Sequence, residues 1–182
     1  MPGSWPYLRT DIVKYLTNTF PASSKILDVG AGEGTYCDLL KNYFSDIDGI
    51  EIFEPYIEKY GLKQKYNNLF LGNIIDFEFS EFDYDIIIMG DTLEHLSETD
   101  ARTVIDKYLN RVKEFLAVVP LNLPQDVVFG NVYERHLQPT LNFESMEKLY
   151  PELKILNLDN KDISVKIDVG DKVYYQVAYI KK

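Results

Sequence analysis

The chain has 182 residues, of which 46% are hydrophobic and 26% charged, and its formal net charge is −10. This composition is typical of a globular protein, and the length predicts a single domain over residues 1–182 with a sizeable core. The negative charge disfavours nucleic acids and anionic membrane surfaces as partners, because both are bound largely through Lys and Arg. A neutral or cationic small molecule is the expected substrate.

Targeting signals are not expected in this sequence. No segment approaches the roughly 18 consecutive apolar residues of a membrane-spanning helix. The first residues lack the basic and apolar regions of a secretory signal. Cys37 is the single cysteine and cannot form an internal disulfide, which favours a reducing compartment. We therefore predict a cytoplasmic protein, and the sequence predicts no particular oligomeric state.

The first two thirds of the chain alternate between helical and strand patterns. Leu8, Ile12, Leu16 and Phe20 recur at four-residue spacing and predict a helix in the N-terminal region, residues 1–22. Apolar segments of strand length follow, with helical patterns between them, including one over residues 55–66. The predicted strands are residues 25–29, 48–53, 68–71, 84–89 and 115–119. Such alternation is typical of parallel α/β proteins.

The last third of the chain has a different character. Residues 121–139 show no clear periodicity and include two prolines and a glycine, which predicts a long loop of the kind that often contacts substrate. Asn142 is placed to cap a short helix, and residues 173–179 alternate at the two-residue period of a strand. We expect an α/β, doubly wound sheet with an antiparallel strand near the C-terminus.

A glycine-rich turn joins the first predicted strand to the next helix. Its glycines permit positive φ angles and a close approach of a ligand to the backbone, and the helix start beyond them offers unpaired N–H groups. The spacing is G-x-G-x-G, unlike the G-x-G-x-x-G of dinucleotide-binding proteins. Asp28, two residues before the first glycine, would repel a pyrophosphate and attract an amine. A tight turn that binds no ligand is the alternative interpretation.

This segment resembles the first motif of the class I S-adenosylmethionine-dependent methyltransferases, in which the turn wraps the methionine part of the cofactor. The resemblance extends over residues 24–120 and implies a Rossmann-like sheet of seven mostly parallel strands. It also implies S-adenosylmethionine as the cofactor and S-adenosylhomocysteine as the product. The cofactor-binding residues expected at the turn are Asp28, Gly30, Gly32 and Gly34.

Later positions match the same family in order. Glu51, at the end of the second strand, is expected to accept both ribose hydroxyls, with Ile52 beside the adenine. Asn73 is expected to accept a hydrogen bond from the adenine amino group, with Ile74 next to it. Asp91 follows the fourth strand, near the sulfonium. For Glu51 a solvated strand end is the alternative, and for Asn73 an ordinary turn.

The chain has two histidines, and both are candidate catalytic residues. His136 lies in the long loop, within a segment that resembles a Tyr-Glu-x-His-Leu stretch of methyltransferases found near polysaccharide pathways. We expect it to act as a base or to contact substrate; a surface loop histidine is the alternative. His95 ends Asp91-x-x-Glu94-His95, which resembles the E-x-x-E-H metal-binding motif of some magnesium-dependent methyltransferases but begins with Asp.

No metal site is expected at this motif. Mg²⁺ prefers carboxylates and water in octahedral geometry, and only two acids are in place, so Mg²⁺ is a possible but disfavoured cofactor. In the alternative interpretation, Glu94 and His95 simply stabilise the turn after the strand.

The function predicted is methyl transfer to a small molecule, such as a sugar or another hydroxyl or amine acceptor. A non-catalytic S-adenosylmethionine-binding subunit of a larger assembly is the second hypothesis. A nicotinamide oxidoreductase is the third, and the glycine spacing disfavours it.

Overall fold

The computed structural model describes residues 5–182, so the first four residues of the predicted N-terminal region lie outside the described part. The α-helices of the described chain are α1 Arg9–Thr19, α2 Thr35–Leu40, α3 Glu54–Lys59, α4 Leu62–Lys65, α5 Glu98–Tyr108 and α6 Phe143–Leu149. Its strands are β1 Lys25–Val29, β2 Asp46–Glu51, β3 Leu69–Leu71, β4 Ile86–Gly90, β5 Glu114–Leu121, β6 Leu153–Ile155, β7 Asn157–Leu158, β8 Lys161–Asp162, β9 Ser164–Val169 and β10 Lys172–Lys181.

The main sheet has the order β3-β2-β1-β4-β5-β10-β6, with β9 also paired to β10. The first five strands of this order are parallel, and β10 runs antiparallel to β5, β6 and β9. The prediction of a mostly parallel α/β sheet with an antiparallel strand near the C-terminus is confirmed. The sheet has eight strands where seven were predicted, because β6 and β9 pair with different lengths of the same edge of β10.

Helices cover both faces of the sheet. Its central strands are therefore buried on both faces, which explains why their sequences are unbroken runs of apolar residues. One core packs β1, β4 and β5 against α5 and α6. The other packs the opposite face of the same strands against α1 and α2. Every residue of β5 is buried. None of the helices within residues 5–182 combines the length and apolarity needed to cross a membrane.

One predicted helix is divided in the structure. The pattern over residues 55–66 predicts a single helix, but the chain forms α3 and then α4. Gly61 separates them in the left-handed conformation, with φ of +61°. Its N–H donates to the Glu58 carbonyl, which ends α3. A glycine can end a helix in this way while the apolar spacing continues through it, so periodicity alone did not show the break.

The strand order reverses between β1 and β4, and this reversal positions the site. β2 and β3 lie on one side of β1 in the sheet, whereas β4 and β5 lie on its other side. In open α/β sheets such a point leaves a crevice at the carboxyl ends of the strands. The turns that follow β1, β2, β3 and β4 all border this crevice.

Candidate functional site

A cleft with a volume of about 280 Å³ lies at the carboxyl ends of β1 to β4. One side is formed by the turns after these strands, and the other by residues of the long loop after β5. Seven of the nine residues predicted to bind a cofactor line it: Gly30, Gly32, Glu51, Ile52, Asn73, Ile74 and Asp91. His95 also lines the cleft, whereas His136 does not.

The glycine turn brings bare backbone to the cleft surface. Gly30, Gly32 and Gly34 have φ angles of +75°, +54° and +83°, a region that L side chains rarely adopt. The Gly30 N–H donates to the Ile50 carbonyl at 2.9 Å, which holds the turn against β2. A Cβ at Gly30 would lie 2.7 Å from Thr92 Oγ1, so the close contact with the β4 turn also requires glycine.

Glu51 connects the end of β2 to this turn. Its Oε2 accepts the Gly32 N–H at 2.8 Å, and its Oε1 accepts the Phe53 N–H at 2.7 Å. Burial raises the pKa of the Glu51 carboxyl, and the two backbone N–H groups oppose that shift. Each carboxylate oxygen keeps a further lone pair, so the side chain can accept the two hydroxyls of a ribose ring.

Asp28 and Gly34 lie beneath the turn, away from the cleft surface. Asp28 is buried and accepts a hydrogen bond from the Tyr66 hydroxyl at 2.5 Å. Burial raises the pKa of Asp28 to about 7. Gly34 precedes α2, and a Cβ there would lie 2.7 Å from Lys65 Cδ. A direct role for either residue in cofactor binding stays a prediction.

The turn after β3 supplies an apolar slot with one amide. Ile52 and Ile74 lie on the cleft wall, on the turns after neighbouring strands. Asn73 Oδ1 accepts the Ile75 N–H at 3.1 Å, which leaves that oxygen one lone pair for a ligand amino group. Ile52 and Ile74 can pack against the faces of a planar base, and Asn73 can accept a hydrogen bond from an amino group on that base.

Asp91 has a structural role that sequence reasoning did not anticipate. Its φ is +49°, and its carboxylate accepts the Trp5 N–H at 2.8 Å and the Gln176 Nε2–H at 3.2 Å. The side chain therefore joins the end of β4 to the N-terminal segment and to β10. Trp5 and Gln176 were not identified as site residues; the available signal in the sequence was the polar Gln176 within the alternating pattern of residues 173–179.

The two histidines meet beside a buried carboxylate. Their ring centroids are 4.7 Å apart, and the Nε2 atoms of His95 and His136 lie 3.8 and 3.9 Å from Glu94 Oε1. Burial lowers the pKa of both imidazoles to about 4. Glu94 is 1% exposed, and burial raises the pKa of its carboxyl. His95 and Glu94 share a turn, but their meeting with His136 was not predicted.

Backbone hydrogen bonds hold the long loop against the turn after β4. The N–H groups of Leu137 and Gln138 both donate to the Glu94 carbonyl, at 2.9 and 3.1 Å. Gln138 Nε2 donates to the carbonyls of Leu93 and Leu96, and its Oε1 accepts the Tyr150 hydroxyl. The His95–His136 pair is therefore fixed by the main chain on both sides.

Tyr56 and Glu134 are further polar residues of the cleft. The Tyr56 hydroxyl donates to Glu134 Oε1 at 3.1 Å and so connects α3 to the long loop. Both side chains are buried and both line the cleft. Tyr56 was missed from the sequence because its apolar spacing marks it as a core residue of α3.

The residues present fit S-adenosylmethionine. The left-handed glycine turn would receive the methionine end, Glu51 the ribose hydroxyls, and the Ile52–Ile74 slot the adenine. When bound, this cofactor supplies an electrophilic methyl group. The strand order and the cleft at the reversal point define a Rossmann-like, doubly wound fold.

Comparison with solved structures agrees with this fold. A S-adenosylmethionine-dependent methyltransferase from Clostridium acetobutylicum superposes with a TM-score of 0.68 at 15% identity, over 98% of this chain and 92% of that one. The N-methyltransferase NodS from Bradyrhizobium japonicum gives 0.64 at 14% identity, over 95% and 93%. The magnesium protoporphyrin IX methyltransferase from Synechocystis, solved with S-adenosylmethionine bound, gives 0.63 at 12% identity, over 96% and 78%.

The family is identified by sequence. A family model described as a methyltransferase domain matches residues 5–125, about two thirds of the chain, so the chain belongs to that family. It is a S-adenosylmethionine-dependent methyltransferase. No curated protein sequence matches the chain at a significant level.

Proposed function

We propose that the chain methylates a hydroxyl or amine group of a neutral or cationic small molecule. The observation that carries this proposal is the charge of the cleft. Glu51, Asp91, Asp100 and Glu134 line it, and no Lys or Arg does so among the residues that the structure describes. A carboxylate or phosphate acceptor would enter this cleft against uncompensated negative potential, whereas an amine would be attracted.

The same argument disfavours nucleic acid as the acceptor. Nucleic acids are bound largely by neutralising their phosphates with Lys and Arg. The net charge of −10 and the acidic cleft both oppose this. Family membership favours turnover over the hypothesis of a non-catalytic subunit.

The long loop after β5 supplies the acceptor side of the cleft. Tyr133 and Leu137 line the cleft and are 48% and 54% exposed. Phe129 and Val132 on the same loop are also exposed. Apolar side chains at the mouth favour an acceptor with an apolar part next to its reacting group.

His95 is the histidine that reaches this side, and we assign it to the acceptor rather than to the cofactor. Its imidazole pKa of about 4 makes it a weak base. An amine needs little assistance in losing a proton, whereas a hydroxyl needs more. His136, which lies behind His95, is proposed to act through it.

The test is a methyl-transfer assay with labelled S-adenosylmethionine. The acceptors are neutral, cationic and anionic compounds, and each charge class includes compounds with a hydroxyl group and compounds with an amine. We expect product with neutral or cationic acceptors. Turnover confined to anionic small molecules or to RNA would contradict the proposal.

Tyr133→Ala tests the acceptor side separately. Losing the aromatic contact is expected to raise the KM for the acceptor about tenfold, because part of a large apolar contact is worth about 1.4 kcal/mol. The affinity for S-adenosylhomocysteine should stay unchanged. Tyr43→Ala is the matched control, since Tyr43 is 51% exposed and lies outside the cleft. An equal effect of the two substitutions would remove the loop from the acceptor site.

A further inference from the structure

We propose that Glu94, His95 and His136 bind one divalent transition-metal cation beside the cleft. One side-chain atom from each residue would bind it: a carboxylate oxygen and the two Nε2 atoms. Nothing in the methyl-transfer reaction itself requires such a site, so it is an addition to the proposed function.

The three ligand atoms already converge. They lie within 4.8 Å of one another, and Glu94 Oε1 is 3.8 and 3.9 Å from the two Nε2 atoms. Ligands about 2.1 Å from a tetrahedral metal lie about 3.4 Å apart. Binding would therefore bring each Nε2 about 0.5 Å closer to Glu94 Oε1, and the two imidazole nitrogens up to about 1.4 Å closer to each other. At their present separations the atoms are too far apart for direct hydrogen bonds.

The second nitrogen of each ring fixes its tautomer. His95 Nδ1 lies 3.1 Å from the Arg135 carbonyl oxygen, and His136 Nδ1 lies 2.6 Å from that of Leu123. Because a carbonyl only accepts, each Nδ1 must donate its proton, and each Nε2 then has a lone pair directed towards Glu94. This Nδ1–H to carbonyl arrangement is the outer-shell contact typical of metal-binding histidines.

The carboxylate is buried without a hydrogen-bond partner in any other described residue. Glu94 is 1% exposed, and neither of its oxygens accepts a hydrogen bond from another residue within 5–182. Buried carboxylates in proteins are normally paired or bound to a metal. A cation bound to Oε1 would satisfy this side chain and both imidazoles together.

The main chain holds the ligands in place. Glu94 and His95 lie on the turn after β4, and His136 lies on the loop that donates two N–H groups to the Glu94 carbonyl. The His136 N–H also donates to the Gln125 carbonyl. A site whose ligands are fixed in this way needs little rearrangement to bind a metal.

The ligand set favours a transition metal over Mg²⁺ or Ca²⁺. Two imidazoles and one carboxylate suit Zn²⁺, Fe²⁺, Co²⁺ or Mn²⁺, whereas Mg²⁺ and Ca²⁺ prefer oxygen ligands. Asp91 could have supplied a second carboxylate, but its oxygens bind the Trp5 N–H and the Gln176 amide. With three protein ligands, coordination positions remain for water or substrate.

The location gives the cation a function. His95 forms part of the cleft wall, so a cation bound to its Nε2 would lie next to the cleft. A divalent cation there would lower the pKa of an acceptor hydroxyl and would take over the role of a base from His95, whose Nε2 lone pair would bind the metal. This consequence rests on the proposed function; metal binding itself does not.

The experiment measures metal binding without cofactor or acceptor. Protein lacking a polyhistidine tag is freed of metal with a chelator and titrated with Co²⁺, whose visible absorption reports the ligand geometry, and Zn²⁺ is then used to displace it. We expect one equivalent to bind. Because the chain has only two histidines, ¹⁵N shifts of the imidazole Nε2 atoms on Zn²⁺ addition identify the site in the unaltered protein.

Variants complete the test. Glu94→Gln and His136→Ala should each weaken Co²⁺ binding at least about tenfold, whereas Glu98→Gln, on the exposed start of α5, should not. Melting curves in chelator show whether each variant folds. Failure of the wild-type protein to bind Co²⁺ or Zn²⁺, Mg²⁺ binding of equal strength, or Nε2 signals that do not move with Zn²⁺ would overturn the proposal.

Discussion

Gly90 is the last residue of β4, and replacing it with alanine tests the packing of the cleft floor. An ideal Cβ at Gly90 would lie 1.8 Å from Cε2 and 2.6 Å from Cζ of Tyr36. Carbon atoms in contact are about 3.5 Å apart, so the ring would have to move by about 1.7 Å. Tyr36 belongs to α2, is 3% exposed and packs into the core, so its ring has little room to move.

The expected cost follows from this overlap. Forcing an extra methyl group into a packed core typically costs about 1–3 kcal/mol. At about 2–4 °C per kcal/mol for a domain of this size, the melting temperature should fall by about 2–12 °C. Because Tyr36 also lines the cleft, a displaced ring should weaken binding of S-adenosylhomocysteine as well.

A double-mutant cycle isolates the cause. Unfolding in urea is measured for the wild-type protein, Gly90→Ala, Tyr36→Ala and the double variant. Without the ring, the destabilisation by Gly90→Ala should be smaller by clearly more than about 0.5 kcal/mol, which is the deviation from additivity expected for independent sites. If Gly90→Ala were equally costly in both backgrounds, the overlap with Tyr36 would not be its cause.

Two further predictions concern buried carboxyl groups. The pKa of Asp28 is about 7 in the folded chain against about 3.9 when unfolded, so the folded state holds the proton longer and stability falls as pH rises from about 4 to 7. Asp28→Asn should remove this loss of stability, which amounts to about 1.4 kcal/mol per pH unit. The measurement is urea unfolding of both proteins over this pH range. The same dependence of the unfolding free energy on pH in both proteins would refute the prediction. Glu51→Gln should weaken S-adenosylhomocysteine binding about 10- to 100-fold in calorimetry, since hydrogen bonds to a charged group are worth about 1.5–3 kcal/mol. Exposed Glu58→Gln is the control, and equal affinities for the two variants would contradict the role given to Glu51.

The parts of the fold that could be predicted from the sequence are those that depend on residues close to one another in the chain. β1 was predicted with its observed bounds, because five successive residues between a helix and a glycine turn leave little choice. The cap at Asn142 was also predicted, and this residue forms a capping box with Ser145. Such patterns depend on residues within one turn of each other.

The parts that could not be predicted depend on contacts distant in sequence. His136 was expected at the cleft, yet it lies behind His95, because backbone N–H groups of the loop bond to the Glu94 carbonyl. Backbone bonds of this kind leave no side-chain pattern to read. The hydrogen bond from the Tyr66 hydroxyl to Asp28 was not predicted either, because Tyr66 follows α4 at what its sequence spacing marks as an ordinary apolar position.

The hydrogen bonds that attach the long loop to the turn after β4 divide this loop into a fixed part and an exposed part. Residues 135–138 are secured to the scaffold, whereas Phe129 and Val132 project from it, 72% and 63% exposed. Under the proposed function, substitutions at Phe129 and Val132 should change which compound is accepted without disturbing the histidines. For protein engineering, these two exposed positions can be varied while Asn131, which lies between them and is 2% exposed, is kept.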